Sequence, residues 1–290
     1  MVELMGKLAP SEGSTLSALD SVKFMRSNRS LPRMPVLYEP GIVVVCQGRK
    51  RGFLGDQVYT YDAQQFLVLS VPLPFECETH GSPEEPLLAV SISINLPVAA
   101  ELVLALDESP HQVHAAPVGI CSTPLDDKLS DAVLRLMETL ISPGDANILG
   151  PGIVREIYYR VLTGQQGPAL RAALTHQSHF GKIGKAIRRI HADYTGDLDV
   201  ETLAEEAGMS VAAFHANFKA VTTTSPMQYL KTTRLHKARL LMVQDGLNAA
   251  TAAVRVGYES SSQFSREFKR FFGRTPVEEA TQMKNALVQV

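Results

Sequence analysis

Residues that could bind a metal ion or act as nucleophiles are few in this sequence of 290 residues. The three cysteines include no CxxC pair, so the sequence predicts neither a disulfide framework nor a structural zinc site. Three histidines, His80, His111 and His114, could converge on a metal ion, but no H-x-H pair occurs among them. No glycine-rich phosphate loop, nucleophile elbow or paired-carboxylate motif occurs either. We therefore expect no catalytic site, no metal and no cofactor.

Two features before residue 80 could bind or sense a small effector. Three consecutive basic residues lie between glycines 48 and 52, namely Arg49, Lys50 and Arg51. They could bind an anion, although a charged hairpin turn at the edge of a sheet is the simpler explanation. Cys77 could react with oxidants or electrophilic aldehydes, but the adjacent carboxylates of Glu76 and Glu78 would disfavour its reactive thiolate. We keep both features as hypotheses for effector binding.

The residues with the clearest chemical logic lie in two short segments that begin 50 residues apart, at Val211 and Ser261. Each segment presents small, polar and basic side chains at helical spacing. The candidate set is Ser210, Ala212, His215, Ala216, Lys219, Ser261, Ser262, Gln263, Ser265, Arg266 and Lys269. Arginine can bind guanine through two hydrogen bonds, alanine can contact the thymine methyl group, and lysine can bind phosphate. The pattern predicts a surface that reads double-stranded DNA.

The first segment belongs to a helix-turn-helix pattern. Val200–Ala207 predicts a short helix, Gly208–Ser210 a three-residue turn, and Val211–Val221 a second helix that Ser210 can cap. The inward positions of this unit would be Leu203, Ala207, Met209, Phe214 and Phe218. An ordinary helical hairpin is the alternative for such a unit when it stands alone.

The same arrangement occurs a second time, which makes the ordinary hairpin an improbable explanation. Asn248–Val256 predicts a short helix, Gly257–Glu259 a turn, and Ser261–Phe272 a second helix with Phe264, Phe268 and Phe271 facing inward. A connecting helix, Tyr229–Val243 with its flanks, would span about 17 residues or roughly 26 Å. Such a helix could hold the two recognition helices about one DNA turn apart, ~34 Å, on one face of the duplex.

Charge is distributed unevenly along the chain. The formal net charge is −2, but the residues from Lys182 onward contain 15 Lys/Arg against 11 Asp/Glu, a net charge of +4. Basic charge is therefore concentrated where the DNA-reading pattern lies. A non-specific architectural DNA-binding protein would be far more basic, so we expect sequence-specific binding.

The first half of the chain predicts many short strands followed by helices. Ile42–Gln47, Gln57–Tyr61, Phe66–Val71 and Val90–Asn95 have strand character, and Gln112–Ala116 adds a further short strand. We expect an α+β protein with an N-terminal β-barrel and flanking helices, and an all-α C-terminal domain with two helix-turn-helix units joined by a long helix. The expected parts are an arm over 1–35, a sensing and dimerisation domain over 36–164, a connector over 165–181 and a DNA-binding domain over 182–290.

Two amphipathic helices follow the strands. The first has Leu125, Leu129, Val133, Leu136 and Leu140 on one face, and the second extends over Ile153–Val161. The apolar stripe of Leu125–Leu140 could form an antiparallel dimer contact or could cover the barrel, and the sequence does not favour either. No signal peptide and no apolar stretch of ~20 residues occurs, so we expect a soluble, cytoplasmic protein with no membrane partner.

Several motifs near the C-terminus resemble those of a known protein family. Residues 203–210 (LAEEAGMS), 225–230 (SPMQYL), 234–239 (RLHKAR), 263–268 (QFSREF) and 273–276 (GRTP) resemble the signature of the AraC/XylS family of transcription regulators. Ser261 departs from it, because many relatives place a proline at this position. Residues 47–51 and 155–164 resemble the cupin-like regulatory region of one subgroup of that family.

The resemblance implies a regulator that binds promoter DNA, acts more often as an activator, contacts RNA polymerase, forms a homodimer and responds to a small-molecule effector. The alternative is a cupin-type metal-binding enzyme domain fused to a DNA-binding module.

Overall fold

The computed structural model describes residues 1–106, 119–165, 167, 170–171 and 179–288. The chain divides into two compact units. One comprises Met1–Arg33, Tyr38–Leu73 and Cys77–Gly181, and the other comprises Met34–Leu37, Pro74–Glu76 and Lys182–Val290. Strands concentrate before residue 125 and the described elements after it are helices, so the α+β class expected from the sequence is confirmed.

A short helix, α1 (Val2–Leu8), precedes the strands. The described strands, in chain order, are β1 (Gly13–Leu16), β2 (Val22–Ser27), β3 (Leu31–Tyr38), β4 (Gly41–Gln47), β5 (Arg49–Leu54), β6 (Gln57–Asp62), β7 (Gln65–Leu69), β8 (Leu73–His80), β9 (Leu87–Ser93) and β10 (Ile120–Pro124). The expected strand Gln112–Ala116 lies outside the described residues.

The strands form two sheets and not the closed barrel that we expected. One sheet has the order β1-β2-β9-β4-β7-β10 and the other β3-β8-β5-β6. The chain changes sheets at Gly48, where the register of β4 also shifts between Val45 and Gln47. Gly48 has a φ of +77°, and a Cβ there would lie 2.9 Å from the His80 carbonyl oxygen. Only glycine fits this turn, which directs β5 into the smaller sheet.

The expected arm over 1–35 instead contains helix α1, two strands of the larger sheet and the start of β3 in the smaller sheet. Strand β2 pairs with β9 from Val22 opposite Ile92 to Ser27 opposite Leu87, and the side chain of Phe24 is buried. Pro32 and Pro35 made this region look irregular, but both lie in β3 at the edge of the smaller sheet. An edge strand tolerates proline because its missing N–H need not pair with a neighbour.

Helix α2 (Leu96–Leu106) lies between β9 and β10 in the chain, and α3 (Asp127–Thr139) and α4 (Pro143–Thr163) follow the last strand. Asp126 caps α3 by accepting from the Leu129 N–H at 2.8 Å. Leu129, Val133 and Leu136 of α3 are each at most 2% exposed and pack in one core with residues of the larger sheet and of α4. The α3 stripe therefore covers the sheet, as one of the two interpretations of the sequence proposed.

From Lys182 onward the regular elements of the second unit are helices. Its helices are α5 (His179–Ala192), α6 (Val200–Glu206), α7 (Val211–Thr222), α8 (Pro226–Gln244), α9 (Ala249–Arg255), α10 (Ser261–Phe272) and α11 (Pro276–Val288). The expected pair of helix-turn-helix units joined by a long helix is confirmed. None of the described helices combines the length and the apolarity that a membrane span requires.

Candidate nucleic-acid interface

The two helix-turn-helix units share one turn geometry. Gly208 has a φ of +60° and Gly257 a φ of +85°. In the first turn the Met209 N–H donates to the Ala204 carbonyl at 3.0 Å, and in the second the Tyr258 N–H donates to the Ala253 carbonyl at 3.0 Å. Both are the six-to-one bond of a Schellman motif, in which a left-handed residue ends the helix. The glycines therefore set the angle at which each second helix leaves the first.

Each recognition helix begins at a serine that caps it. The Ser210 hydroxyl accepts from the Ala213 N–H at 3.3 Å, and the Ser260 hydroxyl accepts from the Gln263 N–H at 3.3 Å. The preceding helices have matching caps, because Asp199 accepts from Thr202 and Asn248 from Thr251. Local sequence thus fixes where all four helices start.

Aromatic side chains hold α7 in place. Phe214 and Phe218 are fully buried, and the ring of Phe218 meets that of Tyr229 edge to face at 5.5 Å between centroids. The Tyr229 hydroxyl lies 2.8 Å from Nε2 of His191 on α5. Burial lowers the pKa of His191 to about 4, so this imidazole is neutral at physiological pH.

A second aromatic cluster holds α10. Phe264 and Phe268 are fully buried, as expected, but Phe272 and not Phe271 is the third buried ring. Phe271 is half-buried against His236. Positions 271 and 272 are three and four residues after Phe268, so both lie near the same helix face and only the packing of α8 distinguishes them.

Helix α8 joins the two helix-turn-helix units, and its buried side chains are distributed all round the helix. Arg234 on α8 joins the loop after α5 to the second turn. Its guanidinium donates to the carbonyls of Tyr194 at 2.6 Å, Gly196 at 2.9 Å and Gly257 at 3.4 Å. Three backbone acceptors on one guanidinium make Arg234 a scaffold residue and not a DNA contact.

A buried ion pair fixes α11 to α8. The Arg239 guanidinium donates to Glu279 Oε1 at 3.3 Å and lies 4.6 Å from the centre of the Phe272 ring. Both side chains are at least nine-tenths buried. His236 is buried beside this pair, and burial holds its pKa well below the usual range. Helix α11 was missed in the sequence because its apolar pattern is weak.

All eleven residues predicted to contact DNA lie on α7 and α10 or at their caps, and all except the half-buried Ser265 are exposed. Gln263 donates to Glu267 at 3.2 Å and Ser265 to the Ser261 carbonyl at 2.9 Å, so these two polar groups are partly committed within the helix. Lys219 and Arg266 make no hydrogen bond or ion pair with any residue that the structure describes. Their charges are therefore available to a polyanion.

One exposed basic residue of α10, Arg270, was absent from the predicted set. It follows Arg266 by four residues and so lies on the same side of the helix. That spacing was the signal that could have identified it.

The residues expected to bind an effector lie on β5 and β8, where they separate into two groups. Lys50 and Cys77 lie together: Lys50 Nζ donates to the Tyr38 hydroxyl at 2.8 Å, and Cys77 Sγ lies 3.3 Å from the Tyr61 hydroxyl. Burial raises the pKa of both tyrosines, which are neutral phenols. Lys50 is only 7% exposed.

Arg49 and Arg51 leave β5 on the side opposite to Lys50, because strand side chains alternate. Arg51 binds Glu78 through two contacts at 2.8 and 3.0 Å, and this hydrogen bonding holds the pKa of Glu78 below its usual value. The expected hairpin turn is thus wrong, since β5 is a paired inner strand. The three basic residues do not form one anion-binding patch.

The described residues contain no group of three or more potential metal ligands. His80 lies beside the same Glu78, with 2.7 Å between its Nε2 and Oε1 of the carboxylate. His111 and His114 lie outside the described residues, so the metal-binding alternative is not tested there.

Comparison with known proteins agrees with this geometry. Residues 18–169 match the model of an AraC-type transcriptional regulator N-terminus, and residues 203–281 match the model of a helix-turn-helix domain. The chain is 35% identical over 95 residues to the HTH-type transcriptional regulator AlkR of Acinetobacter baylyi, which covers 33% of this chain and 31% of AlkR. It is 40% identical over 79 residues to the RCS-specific HTH-type transcriptional activator RclR of Escherichia coli, which covers 27% of this chain and 28% of RclR.

These sequence alignments span less than a third of the two curated relatives. The fold as a whole is similar to that of Vibrio cholerae ToxT in a crystal structure with an unsaturated fatty acid bound. The TM-score is 0.60 at 13% identity, over 93% of this chain and 97% of that chain. At this identity the similarity concerns the fold alone.

Proposed function

This chain belongs to the AraC-type family of transcriptional regulators, and on that premise we propose that it binds promoter DNA at defined sequences through α7 and α10. The observation that carries the proposal is the duplicated unit: two capped recognition helices, each with charged and polar side chains exposed and phenylalanines buried on the opposite face. Arg266 would read a guanine in the major groove, and Lys219 would bind a phosphate.

In this proposal the protein acts in the cytoplasm as an activator and contacts RNA polymerase at the promoter. The relative RclR is a transcriptional activator by name, which supports activation as the direction of regulation. The N-terminal unit would respond to a small effector. Neither Lys50 nor Cys77 is exposed enough to meet an effector at the surface, so any role they have requires access to the interior.

The experiment is a selection of binding sites from a random DNA library, followed by titration of the selected site and a scrambled site of equal length at ~150 mM salt. A specific regulator binds its own site ~10³-fold or more tightly than scrambled DNA. Equal affinity for both would contradict sequence-specific binding and would leave only electrostatic attraction to phosphate.

The proposed homodimer does not use α3, because its apolar stripe is already buried within one chain. Helix α4 instead exposes apolar side chains to solvent. Ile148 is 80% exposed, Leu149 53% and Tyr159 45%, and Ile141, directly before the cap of this helix, is 48% exposed. Single exposed apolar residues are common on protein surfaces, but these four are grouped along one helix and the residue before its cap. Such a group indicates an interaction surface.

The outward face of α4 is complementary to itself. Its positions 141, 145, 148, 152, 155 and 159 alternate in steps of four and three, the spacing of a helix-pairing seam. In an antiparallel pair centred on position 150, Ile148 faces Gly152 of a second copy, Ile141 faces Tyr159, and Asp145 faces Arg155, whose guanidinium also binds Glu101 of its own chain at 3.0 Å. A Cβ on Gly152 would meet nothing within 4 Å, so the surface at this position is open to the partner's isoleucine. Such a contact has the isologous symmetry of a two-fold dimer.

Sedimentation of the Ile148→Glu variant tests the contact. A charge at the centre of the seam should raise the dimer dissociation constant at least ~10-fold, since an uncompensated buried charge is strongly unfavourable. The matched control is Leu104→Glu, which alters a 78% exposed apolar residue of α2 and should leave the dimer intact. An Ile148→Glu variant that is as dimeric as the unaltered chain would reject this face.

A further inference from the structure

A cavity of about 170 Å³ lies in the first unit, between the larger sheet and the helices that cover it. Its walls come from β7, β10, α3 and α4, and include Phe66, Val68, Cys121, Thr123, Leu129 and Val161. Cavities of ~150 Å³ with apolar walls accept benzene. The space is therefore large enough for one six-membered ring with a small substituent.

Two donors line this apolar space on β10. Thr123 is only 5% exposed, and its hydroxyl makes no hydrogen bond with any residue that the structure describes. Cys121 is a free thiol, and burial raises its pKa to about 11, so it remains protonated at physiological pH. Because Thr123 lines the cavity, its hydroxyl can donate a hydrogen bond to a ligand there.

A charged donor stands at the same cavity. The Arg160 guanidinium uses Nε and Nη2 to bind Glu156, at 2.8 and 2.5 Å, which leaves Nη1 without a hydrogen bond among the described residues. The cavity thus combines apolar walls with three donors and with Asp126, whose Oδ1 accepts the cap hydrogen bond of α3. Its polar groups favour a ligand that accepts hydrogen bonds.

We propose that this cavity binds a small cyclic compound with a single carbonyl or carboxylate group, its ring against Phe66, Leu129 and Val161 and its oxygen on Thr123. The inference rests on the proposed function in one respect, that such a ligand is the effector of this regulator. Leu129 belongs to α3 and Val161 to α4, so the ligand fills a gap between the sheet and both helices. Occupancy would tighten the packing of α4, the helix that carries the proposed dimer seam.

The probe is cyclohexanone, with benzoate as the anionic arm and toluene as the arm without an acceptor. Calorimetric titration of the full chain should detect binding of cyclohexanone or benzoate, and tighter binding of benzoate would assign Arg160 to the ligand oxygen. Thr123→Val, which replaces the hydroxyl by a methyl group, should weaken the binding ~10-fold. The matched control is Thr79→Val, a buried strand threonine that does not line the cavity.

Val161→Phe should fill the cavity and abolish binding of all three probes. A second readout is available if the Val161→Phe variant does not fold. In the unaltered chain, methyl methanethiosulfonate modifies Cys121, and peptide mass spectrometry measures the rate of this modification. Bound cyclohexanone should slow this modification, because Cys121 lines the same cavity.

The proposal is wrong if cyclohexanone and benzoate neither bind nor protect Cys121, or if Thr123→Val leaves both affinities unchanged. Binding of toluene as tight as that of cyclohexanone would also overturn it, since the donors would then have no role. The DNA titration above contains no ligand. A chain that binds its DNA site but none of these probes would therefore reject the cavity and keep the proposed function.

Discussion

The two helix-turn-helix units have the same framework and different exposed chemistry. Both use a left-handed glycine in the turn, a serine cap and buried phenylalanines. Helix α7, however, exposes four alanines with only His215 and Lys219 as long polar residues after its cap, whereas α10 exposes Ser262, Gln263 and a cluster of basic side chains. The framework positions a helix, and the exposed residues decide what it can read.

The comparison assigns unequal work to the two helices. Alanines on α7 permit close approach and contact with thymine methyl groups but provide little hydrogen bonding. On α10, the Arg266 side chain has no hydrogen bond or ion pair with the residues that the structure describes, while the Gln263 amide is held by Glu267. We therefore expect sequence discrimination to depend mainly on α10, and the shared framework to be equally necessary in both units.

The largest expected difference between the units concerns their turn glycines. A Cβ on Gly257 would lie 2.7 Å from the Thr195 carbonyl oxygen, whereas a Cβ on Gly208 would meet only the end of Lys182 at 3.8 Å. Gly257→Ala should destabilise the fold by about 3 kcal/mol through both the clash and the positive φ. Gly208→Ala should cost about 1 kcal/mol, from the positive φ alone. Urea denaturation measures both, and equal losses would show that the two turns are not constrained differently.

A pH titration compares the buried histidines of the two units. The pKa of His191 is lowered to about 4, so the native state keeps it neutral, while the unfolded chain takes up a proton below about pH 6.5. Its contribution is complete above that pH and is lost as the pH falls toward 4, by at most about 3 kcal/mol.

Denaturation between pH 7 and 4.5 should therefore show a weaker pH dependence for His191→Phe than for the unaltered chain. His236→Phe is the matched variant in the second unit, because the pKa of His236 is also lowered by burial. An unchanged slope for either variant would mean that its imidazole does not limit stability in acid.

DNA specificity should separate Arg266 from Lys219. Arg266→Ala should relax base preference at one or two positions by about 1–3 kcal/mol, because a bidentate guanine contact is lost. Lys219→Ala should weaken binding to all sequences equally and lower the salt dependence by roughly one unit. Arg255→Ala, an exposed arginine on α9, is the control. A randomised site library measured at several salt concentrations decides between them, and an unchanged preference profile for Arg266→Ala would refute the assignment.

We expect the smallest effect from loss of the serine caps, and it should be the same in both helix-turn-helix units. Ser210→Ala and Ser260→Ala each remove one cap hydrogen bond of 3.3 Å, so each should destabilise the fold by about 1 kcal/mol. Ser262→Ala, which removes an exposed serine that caps nothing, should change stability by less than ~0.5 kcal/mol. A clear inequality between the two caps would show that one recognition helix is held mainly by its aromatic core.

The DNA-reading region was predictable because its signals are local. The predicted helix Ser261–Phe272 matches α10 at both ends, since a serine cap, a helical repeat of phenylalanines and a following glycine define it within 14 residues. The N-terminal unit was less predictable. Strand β2 was missed because its partner β9 is distant in the chain, whereas β5 was taken for a turn because its three consecutive basic residues hide the strand, although its partner β6 follows directly.

Local pattern, then, determined the class of fold, the duplicated helix-turn-helix units and the exposed residues expected to contact DNA. Helix periodicity and capping depend on neighbours within a few residues, so they can be recognised in the sequence itself. Tertiary structure decided which apolar stripe is buried, α3 and not the outward face of α4, and it placed Lys50 beside Cys77 and Tyr61. It also created the cavity behind Thr123. These features arise where strands and helices far apart in sequence pack against one another. The sequence pattern of a single element does not indicate which element it will pack against.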